Sequence, residues 1–231
     1  MTKIKFSNET LEILRNFSNI RQTFLFKPGN VLQVLSVDSS VLAKAVIDET
    51  IPTQAAEGKL SKFLGVLDLV GPDAEVEFNE GFFTIASSGI EMRRLYAHPQ
   101  LVDDNYAVNL QISNETVAFE LSEDSLKKIK QAYNHIRLNK NEGRVGFKAE
   151  AGNLYAYVFE QETYDEETQI IDGNMAKILV AETTYDVDEL FVLRIENLNF
   201  ISGDYAVILG DTMARFSNLA VDLHYWVALE N

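Results

Sequence analysis

The chain has no cysteine and only three histidines. Without thiols there is no disulfide framework, no cysteine nucleophile, no Cys-ligated zinc and no iron–sulfur cluster, and the composition fits a reducing compartment. His98, His135 and His224 are scattered and lack metal-ligand spacing, so solvated side chains are the simpler reading. Also missing are a Gly-x-x-x-x-Gly-Lys phosphate loop, a Gly-x-Gly-x-x-Gly turn, a Gly-x-Ser-x-Gly elbow and an EF-hand calcium loop. The runs Asp165-Glu166-Glu167 and Asp186-Val187-Asp188-Glu189 lack the glycine turn and ordered oxygen ligands of a cation site, and read as solvated surface. No catalytic residue, metal or cofactor is therefore expected, and a hydrolase built on spatially paired carboxylates is the least favoured class. No apolar run follows Met1, so no signal peptide is expected, and no uncharged stretch approaches the roughly 18 residues of a membrane helix.

What is present is an acidic chain of 231 residues, 46% hydrophobic, with 20 Lys and Arg against 35 Asp and Glu, a formal charge of −15. A soluble globular protein is expected, of one large or two small domains. Taken alone, the charge argues against nucleic acid, because affinity for phosphate comes from Lys and Arg. The acidity is uneven, however. Residues 160–189 hold ten acids and one base, a net of −9, whereas residues 122–148 hold seven bases and three acids, a net of +4. Such a map suits a protein whose outer surface repels polyanions while a restricted surface tolerates them.

Periodicity places helices over residues 7–20, 60–70 and 122–139, with a weaker one over 194–200. Ser7 or Asn8 caps the first, with Leu11, Ile13, Leu14, Phe17 and Ile20 inward and Glu12, Arg15, Asn16 and Asn19 outward. Ser122 caps the third, with Leu126, Ile129, Ala132, Tyr133 and Ile136 inward and Lys127, Lys130, Gln131, Asn134 and His135 on the remainder. Short β-branched and aromatic runs over 31–37, 41–47, 75–78, 82–86, 117–121, 154–159, 178–181, 190–194, 205–209 and 223–229 read as strands. Many strands and few helices, without regular alternation, give an α+β class with large antiparallel sheets. Shifting the sequence by 115 positions pairs Phe6 with Leu121, Ser7 with Ser122, Glu9 with Asp124, Thr10 with Ser125, Leu11 with Leu126 and Leu14 with Ile129. Two similar domains follow, residues 1–106 and 107–231, joined by a linker at about 97–105 where His98-Pro99-Gln100 and Asp103-Asp104-Asn105 interrupt the pattern.

Three stretches carry a family resemblance: Lys5-Phe-Ser-Asn-Glu-Thr-Leu-Glu-Ile-Leu-Arg-Asn-Phe-Ser-Asn-Ile20, Phe63-Leu-Gly-Val-Leu-Asp-Leu-Val70 with Asp73-Ala74-Glu75, and Tyr225-Trp-Val-Ala-Leu-Glu230. In these the chain resembles the sliding clamps of T-even-type bacteriophages, processivity factors of the phage DNA polymerase. The resemblance implies two similar processivity-fold domains per subunit and a homotrimeric ring, with antiparallel sheets outside and helices lining a central pore. It further implies encirclement of double-stranded DNA without sequence preference, loading by an ATP-driven clamp loader, docking of the polymerase C-terminal peptide, and action in viral DNA replication in the host cytoplasm. On this sequence the DNA-proximal side chains would be Arg15, Lys62, Lys127, Lys128, Lys130, Arg137 and Lys140, and the peptide groove would involve Leu101, Val102 and Trp226. The strand at 91–96 is the expected edge for ring closure. The competing reading is a non-enzymatic protein-binding or virion-assembly module whose basic helices are merely solvated.

Overall fold

The computed structural model describes residues 3–102, 110–136 and 143–230. Contacts divide the chain into two units, Met1–Asn109 and Leu110–Asn231. No helix among the described residues is long and apolar enough to cross a membrane.

The first unit runs β1 (Lys3–Ile4), α1 (Asn8–Ile20), β2 (Phe24–Phe26), β3 (Gly29–Leu35), β4 (Val41–Ile51), β5 (Ala55–Glu57), α2 (Leu60–Val70), β6 (Glu75–Phe78), β7 (Phe82–Ser87) and β8 (Ile90–Leu95). A four-stranded sheet has the order β1-β6-β7-β8, while β3 pairs with β4 and β2 with β5, all antiparallel. The helices bury Ile13, Leu14, Phe17, Leu60, Phe63, Leu64 and Leu67. Phe26 is the hub of this core, its ring centroid 4.9 Å from Phe24, 5.6 Å from Phe63, 5.8 Å from Phe78 and 5.9 Å from Phe83. These tilted and edge-to-face contacts add to the area each ring buries.

The second unit runs β9 (Val117–Leu121), α3 (Glu123–Ile136), β10 (Gly143–Glu150), β11 (Asn153–Glu160), β12 (Tyr164–Asp165), β13 (Ile170–Ile171), β14 (Met175–Glu182), β15 (Val187–Arg194), β16 (Tyr205–Leu209), β17 (Met213–Asn218) and β18 (Leu223–Ala228), with a 3-10 turn at Ile195–Leu198 between β15 and β16. A four-stranded sheet has the order β14-β11-β10-β15, and β9, β16, β17 and β18 pair in succession. Phe200 packs against the latter set, stacked on Tyr225 at 4.2 Å and tilted against Phe216 at 4.9 Å. The last turn of chain is held by charge: Arg144 and Arg194, opposite each other across the β10–β15 ladder, both close on Glu230.

The two units repeat one plan. A short strand (β1, β9) leads into a capped helix (α1, α3), and four strands follow (β2–β5; β10, β11, β14, β15), where the β2–β5 and β3–β4 pairings match β10–β15 and β11–β14 while the β10–β11 ladder has no counterpart between β2 and β3. A second helical segment (α2; Ile195–Leu198) and three more strands (β6–β8; β16–β18) complete each copy. The 115-residue offset is visible at the atomic level. Thr10 N–H donates to Ser7 Oγ at 3.1 Å and Ser125 N–H to Ser122 Oγ at 3.1 Å, and the hydroxyls of each pair lie 3.0 Å apart. The second unit alone carries an insertion between β11 and β14, the 3-10 turn Gln161–Thr163 with the β12–β13 hairpin.

Several elements depart from expectation. The segment at 194–200 forms only a four-residue 3-10 turn, because Ile195 and Leu198, three apart, supply its buried side with no further helical stripe. Asn16, expected outward, is buried with Thr10 and Ser18 on the inner flank of α1, which reaches into polar positions the apolar stripe does not mark. Strands β2, β5, β10, β12, β13 and β17 were not expected. The helix expected to run to residue 139 is described as far as Ile136, and the remainder lies outside the described residues. Gly143 lets α3 pack closely: a Cβ there would meet the Tyr133 ring and lie 2.7 Å from Ile195 Cγ2. Gly143→Ala should therefore lower stability in denaturant melts by about 1–3 kcal/mol, the cost of overpacking; an unchanged midpoint would contradict this packing.

Candidate nucleic-acid interface

The outward faces of the three helices are set by how each is anchored. In α1 the Ser7 cap is reinforced by Glu49 on β4, which accepts from Ser7 N–H and, at 2.7 Å, from the Thr10 hydroxyl. In α3 the matching role falls to Asp204, which accepts from Glu123 N–H at 2.8 Å. A carboxylate at a helix N-terminus is favoured by the orphan N–H groups and the macrodipole. With the start fixed and an apolar stripe buried, the roll of each helix is determined, so residues at spacings of three and four share the solvent side. These are Asn8, Glu12, Arg15 and Asn19 on α1; Ser61, Lys62, Gly65, Asp68 and Leu69 on α2; and Asp124, Lys127, Lys128, Gln131, Asn134 and His135 on α3.

The expected DNA-proximal residues occupy these faces in different states. Arg15 reaches across from α1 to α2 and pairs with Asp68 at 2.7 Å. Lys128 pairs with Asp124 one turn earlier at 2.6 Å. Lys62 and Lys127 are exposed, and no carboxylate partner is described for either. Lys130 instead lies on the flank of α3, half-buried, and burial lowers its pKa below the ordinary lysine value. Arg137 and Lys140 fall outside the described residues. The faces are thus less basic than the segment charge suggests: cations, carboxylates and neutral donors such as Asn19, Gln131 and Asn134 are interspersed. Such a surface offers scattered hydrogen bonds and weak charge contacts to a phosphate backbone, with nothing arranged to read bases. Asp68 and Asp124, which sequence reasoning left out, are as much part of these faces as the cations. The i,i+4 spacing of Asp124 and Lys128 was a legible signal; the Arg15–Asp68 pair joins distant positions and left none.

The acidic side of the second unit is built differently. Tyr157 and Phe159 alternate with Ala156 and Val158 along β11. The β12–β13 hairpin covers the first pair with Tyr164 and Ile171, and α3 packs across β11 and β14 on the other face. On the hairpin side Lys177 is held by Glu150 at 2.5 Å and lies 4.0 Å from the Tyr155 ring centroid; its contact with Glu150 first, and with the Tyr157 hydroxyl next, raises its pKa. Lys148 pairs with Asp188 at 2.8 Å. The bases on this side are therefore engaged by carboxylates.

The expected groove residues separate. Val102 is buried against Leu25 and Ala56, with Ala97 beside them, whereas Leu101 is 63% exposed. Next to this cluster Leu25, Gln54, Ala56, Tyr96, Ala97 and Pro99 line a cavity of about 550 Å³, and Tyr96 lies edge-on to Phe83 at 4.5 Å. Leu25, Ala56 and Tyr96 were not singled out from sequence, because β2 and β5 are too short to show a pattern. Trp226 belongs to the other unit, buried on β18 opposite Arg215 with its ring 5.8 Å from His224.

No family model matches the chain. It is 24% identical to the sliding clamp of Vibrio phage KVP40 over 98% of this chain and 99% of that protein. It is 34% identical to the sliding clamp of Enterobacteria phage T4 over 77 residues, 33% of this chain and 34% of the relative. Among solved structures, the DNA polymerase III subunit beta of Borrelia burgdorferi, in complex with a natural product, superposes with a TM-score of 0.69 at 15% identity, over 99% of this chain and 64% of that one. That of Pseudomonas aeruginosa gives 0.66 at 11% identity, over 100% of this chain and 65% of that one. The Helicobacter pylori beta clamp bound to a DNA ligase peptide gives 0.64 at 14% identity, over 100% and 67%. The chain thus has the fold of these bacterial clamps and spans slightly less than two thirds of the first two chains it matches.

The anchoring of α1 has a pH signature. Burial alone would raise the Glu49 pKa, but the hydrogen bonds from Thr10 and from Ser7 N–H outweigh it and hold the carboxyl below its ordinary value. A group depressed in the folded state contributes stability above its unfolded pKa, and that contribution is lost as pH falls through the folded value. Glu49→Ala should cost about 1 kcal/mol at neutral pH, the scale of a lost N-cap. The gap to wild type should close in melts below about pH 4; a gap independent of pH would contradict the role given to the charge.

Proposed function

We infer that this chain is a DNA sliding clamp of the T-even-like phage type, a processivity factor that encircles duplex DNA and tethers a replicative polymerase by topology rather than by catalysis. The observation that carries the reading is the similarity to a phage sliding clamp along 98% of the chain. The physical character of the helix faces supports it. DNA presents one charge per about 1.7 Å of axis, so scattered Lys, Arg, Asn and Gln meet backbone wherever the ring stands, with no preferred sequence. Tight contacts would brake movement. Arg15, Lys62, Lys127 and Lys128 form the DNA-proximal set, Lys130 flanks it, and Arg137 and Lys140 are assigned to it by sequence position.

In this reading the working form is a homotrimer, opened and closed around DNA by an ATP-driven clamp loader in the host cytoplasm. Two sheet edges in each copy serve the closure. Strand β8 is the last strand of its sheet, tied down by a two-pronged Arg94–Glu57 contact at 2.7 and 2.5 Å while Glu91, Arg93 and Leu95 face out. Strand β14 is the last strand of its own sheet. Head-to-tail pairing of β8 in one copy with β14 in the next closes a ring and hides edges that would otherwise aggregate. The cavity lined by Leu25, Ala56, Tyr96, Ala97 and Pro99 receives the C-terminal peptide of the polymerase, with Val102 packed behind it and Leu101 exposed at its rim.

Primer extension on a circular template with the cognate polymerase and loader tests the reading. Adding the protein with ATP should lengthen products severalfold. Lys127→Glu with Lys128→Glu should remove most of that gain while native mass still reports three copies of the 26.0 kDa chain. No loader-dependent gain, or a monomer at micromolar concentration, would overturn it.

A further inference from the structure

Between the start of α1 and the end of α2 lies a cleft of about 600 Å³. Its apolar floor is Phe6, Leu67 and Ala74, each nearly buried. Its rim carries two cations, and both are already engaged: Lys5 by Asp73 at 2.7 Å and Arg15 by Asp68 at 2.7 Å. Part of the positive field of the helix N-terminus at the cleft is already taken up, since Ser7 N–H is engaged by Glu49 and Thr10 N–H by Ser7 Oγ. The positively charged groups an anion meets at this rim are Lys5 and Arg15.

All four side chains are about half exposed or more, from 49% for Arg15 to 81% for Asp73. Ion pairs this exposed open at little cost and do little for the fold. Lys5 nevertheless keeps the Asp73 carboxyl below the usual carboxylate range, so at neutral pH the aspartate is a permanent anion. A phosphodiester arriving at the rim must exchange with a carboxylate already in place. Part of the charge attraction, and of the counterion release that drives it, is thereby cancelled in advance.

We propose that this cleft is a phosphate-contact site for duplex DNA in which Asp68 and Asp73 are resident counter-ions that keep the grip of Lys5 and Arg15 weak. The proposal rests on the sliding-clamp reading, because it needs duplex DNA to pass this face of the first unit. As backbone moves past, each cation passes from aspartate to phosphate and back, so the contact is continually remade and never becomes an anchor. Neutralising the aspartates turns a passing contact into a brake.

The test uses the full chain and a 40-base-pair duplex of arbitrary sequence, with affinity followed by fluorescence anisotropy across a salt series. Asp68→Asn with Asp73→Asn should tighten binding about fivefold or more at low salt and steepen the slope of log K against log salt by about 1 to 2, corresponding to one or two additional phosphates neutralised. Glu167→Gln with Asp172→Asn, the same change in net charge on the β12–β13 hairpin, should move affinity less than about twofold, since those carboxylates pair with neither Lys5 nor Arg15. Adding Lys5→Gln and Arg15→Gln to the asparagine pair should return affinity to the wild-type level. An asparagine pair that binds no tighter than the matched control, or a gain that survives removal of Lys5 and Arg15, would overturn the proposal. Loader-dependent product length with the unmodified protein separates the failures. If that gain persists while the asparagine pair changes nothing, the counter-ion role alone falls; if the gain is absent, the clamp reading falls.

Discussion

The arrangement depends on a capped, one-sided helix repeated twice. In α1 and α3 a serine hydroxyl closes on the backbone N–H three residues ahead at the same 3.1 Å, and a carboxylate from elsewhere in the same unit completes the cap. These contacts fix where the helix begins, and the buried stripes, Ile13-Leu14-Phe17 and Leu126-Ile129, fix its roll. Little freedom remains in what faces away. Arg15, Lys127 and Lys128 point to solvent because Leu14 and Leu126 point to the core. Lys130, four residues after Leu126, is drawn to the flank by the same geometry.

Electrostatics then separates two kinds of surface. On the hairpin side of the second unit, the bases Lys148 and Lys177 are held by Asp188 and Glu150 amid an excess of acid. On the helix faces, cations stand beside carboxylates and neutral donors in near balance. The formal charge of −15 therefore combines a strongly acidic stretch, residues 160–189, with three helix faces that are close to neutral. That is unsuited to adhesive DNA binding and suited to retention by encirclement, where affinity would oppose movement.

The capped helices and their inner faces were legible in the sequence, because apolar residues recur every three to four positions after a serine. The repeat was legible because the caps recur with it, down to the paired hydroxyls. Strands β2 and β5 were not: each has three residues, all buried, so no alternation marks them. Strand β17 alternates, but its inward set ends at Asn218, a polar residue at a buried position, which spoils the apolar code. Strand β10 begins in a glycine-containing basic stretch that reads as a turn, although Gly143 is there to admit the Tyr133 ring. The partners of Arg15 and Lys5 were least accessible to sequence. Asp68 and Asp73 sit 53 and 68 positions from Arg15 and Lys5; the packing of α1 against α2 brings the first pair together and the β1–β6 pairing the second.

The central claim is encirclement, and the direct measurement is retention as a function of DNA topology. After loading onto a nicked circular plasmid and gel filtration, the protein should remain with the circle through a high-salt wash and be released when a single restriction cut gives the DNA free ends. Equal retention on circular and linear DNA, or loss from both in salt, would contradict a topological link and leave ordinary surface binding.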